Sequence, residues 1–225
     1  VTEARKRFEA KNGSVERGKS RRLWKQQLPK MFTQTRGQSS PGYGPSGLND
    51  SQHRDGRNAR KVVEWIDKKS YGDKPFFITV GIHKPHVPFI APQKYFDLYP
   101  RRELQFELSP ANDWADIPKM AMVKRFSGFG FELGRENDPL RREYTQAYHA
   151  CVSFVDAQIG LILDKLKAQE LWDDTIVIFT SDHGYHLGEH FMWGKVTLFE
   201  ECARVPLVVR VPGVSKAGTR SEGLV

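Results

Sequence analysis

The chain has 225 residues, of which 39% are hydrophobic and 28% are charged, and its formal net charge is +8. That length is enough for one sizeable hydrophobic core. The longest apolar runs, such as residues 175–180, are far shorter than the ~20 residues that a membrane-spanning helix needs. Two cysteines, Cys151 and Cys202, exclude a disulfide-stapled scaffold and a four-cysteine zinc module.

The excess of positive over negative charge is confined to one end of the chain. Residues 1–70 contain 17 Lys and Arg against 7 Asp and Glu, whereas the remainder contains 18 against 20. The basic segment resembles a weak polyanion-binding arm in composition, although a solvated surface arm is the simpler interpretation. Residues 33–56 are rich in Gly, Ser and Pro and predict an extended loop. We therefore divide the chain into residues 1–56, a basic arm with a Gly/Ser/Pro-rich loop, and residues 57–225, a partial α/β domain.

The first periodic elements follow that loop. Residues 55–69 place apolar side chains at helical spacing and predict a helix. The continuous apolar run 75–81 predicts a strand buried on both faces. The Pro-rich stretch 83–100 predicts an irregular surface segment.

A long helix is predicted next, with Asp138 as its cap and Pro139 at its first position. Its apolar stripe falls at steps of three and four residues: Tyr148, Val152, Val155, Ile159, Ile162 and Leu166. Residues 175–180 and 205–211 predict two further buried strands. Helices and strands thus alternate, which indicates an α/β domain with a mainly parallel sheet.

Two polar clusters follow two of the predicted strands, where ligands bind in open α/β sheets. The first contains His83, Lys84 and His86 among prolines that stiffen the loop. A lysine beside an imidazole suits an anionic substrate, with the imidazole as a proton donor. A surface loop routed by its prolines is the alternative.

The second cluster begins with Asp182, His183 and Gly184. A carboxylate and an imidazole at a strand end can face one cation, but two ligands are too few for a tight site. A helix-capping role for Asp182 is the alternative. His186 and His190 have the i, i+4 spacing of a zinc helix, but glycines interrupt it and HLGEH is not HExxH.

In combination, these blocks resemble the sulfatases of the alkaline-phosphatase-like superfamily. The residues that carry the resemblance are PFFITVGIHKPHVPF (75–89), YHACVSFVDAQIGLILDKL (148–166), DDTIVIFTSDHGYHLGEHFMWGK (173–195) and VPLVVRVPG (205–213). They are most similar to the branch of iduronate 2-sulfatases and choline-sulfatase-like enzymes. The resemblance covers about residues 55–225 and implies a three-layer α/β sandwich with a mainly parallel sheet, incomplete in this chain.

The resemblance also implies roles for individual residues. Asp182 and His183 would be ligands of a divalent cation, Ca²⁺ in typical sulfatases. His86 would contact the sulfate ester and protonate the leaving alkoxide, and Lys195 would hold a sulfate oxygen. Lys84 is a second candidate substrate-binding residue beside His86. His83, His186 and His190 are expected to have supporting roles.

One part of the family pattern does not occur in the 225 residues. The nucleophile motif Cys/Ser-x-Pro-x-Arg, whose first residue becomes formylglycine, is absent, and so is the Asp-Asp pair that supplies other metal ligands. Both motifs precede the HKPH-like block in the family, and Val1 is not an initiating Met. We therefore expect a fragment of a sulfatase domain that is inactive on its own.

The predicted function is metal-assisted hydrolysis of sulfate esters, with sulfated sugars or sulfated small molecules as substrates. A phosphodiesterase or phosphonate monoester hydrolase of the same superfamily is the nearest alternative. A non-catalytic polyanion-binding protein is the third. No specific nucleic acid and no membrane span are expected. The family resemblance favours the periplasm, the lysosome or the outside of the cell.

Overall fold

The computed structural model describes residues 42–106, 109–121, 139–221 and 223. The helices are α1 (Arg54–Asp67), α2 (Gln93–Phe96), α3 (Pro139–Ala168) and α4 (Glu200–Ala203). The strands are β1 (Tyr43–Pro45), β2 (Phe89–Ala91), β3 (Val177–Thr180), β4 (His186–Leu187), β5 (Trp193–Gly194) and β6 (Leu207–Arg210). The predicted basic arm, the first part of the predicted loop and the predicted cap Asp138 lie outside the described residues. The expected α/β class is confirmed as a mixture of helices and sheet with a partial parallel sheet.

Both predicted helices are present, and they pack against each other. Val62 and Ile66 of α1 are buried with Leu166 of α3 in one apolar cluster. The side chains that α3 buries most completely belong to another face, with Tyr144 and Phe154 both 0% exposed. The predicted stripe is therefore displaced by about one residue in the middle of this helix, where Cys151 and Gln158 are buried in place of the predicted Val152 and Ile159.

The sequence predicted an irregular surface segment for the Pro-rich stretch 83–100, and this prediction was wrong. It contains β2, which pairs in parallel with β1 in the register Tyr43↔Phe89. Phe89 and Ala91 are 0% exposed and pack against α3, and Tyr95 and Phe96 of α2 extend this core. The prolines of this stretch indicated a loop, so β2 was missed. Its partner β1 was missed as well, because it lies in a segment whose composition also indicates a loop.

The predicted burial of three other strands on both faces was wrong. Residues 75–81 form no strand among the described residues. Phe77 is 96% exposed, while Phe76 and Ile78 contact the α1–α3 cluster. β3 and β6 form an antiparallel pair at the predicted positions. Their Ile178 and Val208 are 64% and 60% exposed. A strand is buried on both faces only where both are covered, and the described contacts come from α1 and α3 on one face.

No helix in the described ranges is long and apolar enough to cross a membrane. The predicted site residues lie in two loops: residues 81–88, which lead into β2, and residues 181–197, which follow β3 and include β4 and β5.

Candidate functional site

The first loop, residues 81–88, is anchored to the start of α1. Asp55 accepts hydrogen bonds from the backbone N–H groups of His83 at 3.0 Å and Lys84 at 2.8 Å. The His83 and His86 rings stack with centroids 4.7 Å apart. Burial, followed by the nearby His86 and Lys84, lowers the pKa of His83. The loop thus presents two imidazoles side by side on a fixed backbone.

His86 has a defined tautomer in its neutral form. Its Nδ1 lies 2.8 Å from the carbonyl oxygen of Val87. Because a carbonyl oxygen only accepts hydrogen bonds, Nδ1 carries the hydrogen. The residue is exposed, and Nε2 is the remaining ring nitrogen, which can donate a proton in the imidazolium form.

Lys84, the second candidate for substrate binding, is engaged within its own loop. Its ammonium donates to the carbonyl oxygen of His86 at 3.2 Å and also to that of Pro88. Burial lowers its pKa. These contacts favour a role in holding the loop, whereas contact with substrate stays a prediction.

The second loop, residues 181–197, brings three of the predicted site residues together. Lys195 Nζ lies 3.1 Å from His183 Nε2, and Asp182 Oδ2 lies 3.6 Å from the same nitrogen. His183 Nδ1 is 2.7 Å from the carbonyl oxygen of Gly184, so this nitrogen carries the hydrogen. Nε2 therefore offers a lone pair, which accepts a hydrogen bond from the Lys195 ammonium.

The environment of Asp182 favours its carboxylate form. Loss of solvation, the largest single influence, raises its pKa, but the nearby His183, two backbone hydrogen bonds and the charge of Lys195 together outweigh it and hold the pKa below its usual value. Its side chain is 85% exposed. A negatively charged, accessible oxygen thus stands beside the imidazole lone pair.

The donor set fits a shared cation in part. A carboxylate oxygen lies 3.6 Å from the imidazole Nε2, whose lone pair already accepts a hydrogen bond from one cation, the Lys195 ammonium. Within the part of the chain that the structure describes, no group of three or more His, Cys, Asp or Glu side chains could hold a metal ion. Metal binding by Asp182 and His183 stays a prediction that requires further ligands.

A further polar network supports the second loop. The sequence indicated its two histidines but not the residues that contact them. His186 is 1% exposed and its Nε2 lies 2.8 Å from Thr197 Oγ1. His190 pairs instead with Asp113 at 2.9 Å and lies 3.8 Å from Glu201. Glu201 also lies 4.0 Å from His186 Nδ1, so the two histidines share this carboxylate. Their supporting role stays a prediction.

The short helix α4 fixes the turn at Gly184. The N–H of Gly184 donates to the carbonyl oxygen of Cys202 at 2.8 Å. A Cβ at this position would lie 2.0 Å from the carbonyl oxygen of Glu201, so only glycine fits. Neither Glu201 nor Asp113 stands in a motif, and their part in the site follows from tertiary packing alone.

The two loops meet through aromatic side chains. Phe89, three residues after His86, lies 5.9 Å from Tyr185, two residues after His183. Both rings pack on Tyr148 of α3, at 5.6 Å in each case. In the described residues His86 makes no hydrogen bond or ion pair with Asp182, His183 or Lys195. The loops are therefore neighbours that share a core.

Neither cysteine is available for chemistry. Cys151 and Cys202 are free and buried. Burial raises the pKa of Cys151 to about 12, which keeps it a thiol at physiological pH.

Comparison with known proteins identifies relatives of this chain. The model of the Sulfatase family matches residues 11–225. The chain is 34% identical over 169 residues to iduronate 2-sulfatase of Mus musculus, covering 71% of this chain and 30% of that protein. It is 35% identical over 147 residues to choline-sulfatase of Rhizobium meliloti (strain 1021), covering 63% and 28%.

Among solved structures, a phosphonate monoester hydrolase from Silicibacter pomeroyi is similar with a TM-score of 0.65 and 22% sequence identity, covering 82% of this chain and 38% of that chain. At this identity the similarity establishes a shared fold only. The chain thus spans 30% and 28% of the lengths of its two curated relatives.

The contact between Lys195 and His183 generates a prediction for the neighbouring carboxylate. Replacing Lys195 by Met removes a positive charge that favours ionised Asp182, so the pKa of Asp182 should rise towards its ordinary value. Because the folded-state pKa is lowered, Asp182 stabilises the fold above its unfolded pKa, and this contribution is lost as the pH falls. Carboxyl ¹³C NMR titration measures the change.

Lys167→Met is the matched control, since Lys167 pairs with Asp164 at 3.6 Å in another part of the chain. It should leave the Asp182 titration unchanged. An identical Asp182 titration in Lys195→Met and the unsubstituted chain would contradict the proximity of the two groups.

Proposed function

Because the chain belongs to the sulfatase family, we propose that the complete protein hydrolyses sulfate esters. Its α/β fold is the alkaline-phosphatase-like arrangement of that family. The observation that carries the proposal is the convergence of Lys195, His183 and Asp182 within 3.1–3.6 Å after β3. Lys195 supplies a positive charge for an oxygen of a tetrahedral sulfate group, and the carboxylate and imidazole beside it are groups that can hold a further cation there.

The proposed mechanism gives each loop one task. Lys195 holds a sulfate oxygen. The lone pair of His183 Nε2 serves one cation at a time, so the Lys195 ammonium would be released for the substrate when a metal ion is bound there. His86 donates a proton from Nε2 to the leaving oxygen, which is typically worth ~10²–10⁴-fold in rate. The backbone of residues 83–86 holds this imidazole in place, and the two loops pack on one aromatic core.

Two groups outside these side chains complete the proposed chemistry. Sulfatases are in general metal-dependent, and we propose Ca²⁺ as the ion, with Asp182 and His183 among its ligands. When bound, it would neutralise charge on the sulfuryl oxygens. The nucleophile implied by the family resemblance is a formylglycine, whose motif does not occur in the 225 residues.

We propose sulfated sugars as the substrate class. The identity to iduronate 2-sulfatase supports this choice. The basic residues before position 33 would favour a polysulfated chain electrostatically. A phosphonate monoester hydrolase is a weaker alternative, supported only by a shared fold at 22% identity. We further propose that the protein works outside the cytoplasm, in the periplasm, in the lysosome or secreted, as family resemblance suggests.

The function is tested with the complete protein and two substrates that share a leaving group. Turnover of 4-nitrophenyl sulfate should exceed turnover of 4-nitrophenyl phenylphosphonate, with rates compared as kcat/KM. A faster phosphonate reaction would favour the alternative hydrolase. Binding of heparin that weakens steeply with salt, without turnover of either ester, would instead favour a polyanion-binding protein.

The proton-donor role of His86 predicts a leaving-group effect. His86→Ala should slow hydrolysis of an alkyl or sugar sulfate by ~10²–10⁴-fold, because a poor leaving group needs protonation. Hydrolysis of 4-nitrophenyl sulfate should slow much less, since nitrophenolate leaves without a proton. His149→Ala, which changes a histidine on α3 that packs beside Tyr99, is the control. Equal slowing of both substrates by His86→Ala would refute the assignment.

A further inference from the structure

We propose that Asp55 is a positioning residue for His86, an inference that rests on the proposed sulfatase function. Asp55 is 2% exposed, yet it belongs to neither polar loop. Its two carboxylate oxygens accept separate hydrogen bonds from the N–H groups of His83 and Lys84, at 3.0 and 2.8 Å. A single buried carboxylate thus holds two consecutive amides, 28 and 29 residues further along the chain.

Within the described ranges, the hydrogen bonds of the Asp55 carboxylate all go to this loop. A buried carboxylate is costly unless it is paired or hydrogen-bonded. Among the described contacts, no lysine or arginine forms a salt bridge with Asp55, so the two amides of the loop are its hydrogen-bond partners. Hydrogen bonds to an ionised acceptor are roughly twice as strong as neutral ones. The first turn of α1 also favours the negative charge.

The helix that carries Asp55 is a rigid support. Ala59, Val62 and Ile66 bury one face of α1 in the core. At Gly56 a Cβ would lie 1.8 Å from the carbonyl oxygen of Asp50, so the start of the helix is packed tightly. Asn58, one turn after Asp55, donates to the carbonyl oxygen of Gly81 at 3.1 Å. The same helical face therefore fixes the loop at its beginning and at its middle.

Fixing these amides fixes His86, which Asp55 does not touch. The N–H of His86 donates to the carbonyl oxygen of His83 at 3.0 Å and closes a turn. The Lys84 ammonium closes the other side by donating to the carbonyl oxygen of His86. Asp55 thus sets the position of residues 83–84, and the turn transfers that position to the imidazole. A misplacement of about 1 Å can cost a catalytic group about 10²-fold in rate.

The test is Asp55→Asn in the complete protein, because the amide retains the shape but presents one acceptor and one donor to two N–H groups. We expect hydrogen exchange of the His83 and Lys84 amides to accelerate, measured by mass spectrometry of the peptide that contains them. We expect kcat on a sugar sulfate to fall about 10–100-fold. Turnover of 4-nitrophenyl sulfate should fall by a smaller factor than turnover of the sugar sulfate, since its leaving group needs no proton.

Asp67→Asn is the matched control, since it makes the same chemical change at the last residue of α1, where the carboxylate pairs with Lys165 at 2.8 Å. It should alter neither the exchange of the loop amides nor the ratio of the two rates. Asn58→Ala is the second variant, in case Asp55→Asn does not fold. It removes only the bond to Gly81 and should shift exchange and rate ratio in the same direction by a smaller factor.

Each result decides the inference. Unchanged exchange at residues 83–84 in Asp55→Asn, or in Asn58→Ala where the first variant does not fold, would overturn it. Faster exchange with equal slowing of both substrates would overturn it too, since a merely structural loss of active enzyme affects both alike. An unsubstituted protein without sulfate ester hydrolysis would refute the proposed function, and with it the catalytic purpose of the loop. Hydrogen exchange would then still decide whether Asp55 anchors the loop.

Discussion

Tyr144 of α3 contacts Phe89, which follows the first loop, and Trp193, which precedes Lys195 in the second, with ring centroids 6.1 Å apart in both pairs. All three side chains are 0% exposed. Each such aromatic pair is worth about 0.5–1.5 kcal/mol beyond its buried area. More important for function, the shared core links loops that lie about 100 residues apart in sequence. A side chain from either loop therefore has a defined position relative to the other.

The two histidines assigned to chemistry are oriented by the same local device. His86 and His183 each place Nδ1 against the carbonyl oxygen of the following residue, at 2.8 and 2.7 Å. Both rings therefore direct Nε2 away from their own backbone. Their neighbours differentiate them: Lys195 and Asp182 flank the Nε2 of His183 and suit it to a cation site, whereas that of His86 is left for a proton transfer. One backbone device thus serves two roles.

The sequence predicted the parts of the fold that depend on local pattern, and it failed where distant partners decide. Helix α1 and the positions of β3 and β6 followed from periodicity and composition. The pairing of β1 with β2 did not, because Tyr43 lies in a segment whose glycines and prolines indicate a loop. Lys195 and Asp182 were identified by family resemblance, and the structure brings them to His183. Asp55 and Glu201 were missed, since a single carboxylate in a helix gives no signal until its distant partners are known.

The account depends on His86 and Lys195 facing one bound sulfate group from two loops of the same core. The most direct measurement is a crystal structure of the complete protein with a sulfate ester or inorganic sulfate in the site. We predict that Nε2 of His86 and Nζ of Lys195 each lie within hydrogen-bond distance of oxygens of the same group. A sulfate held by Lys195 while the His86 imidazole lies on the opposite side of the sheet from Asp182 would contradict the account.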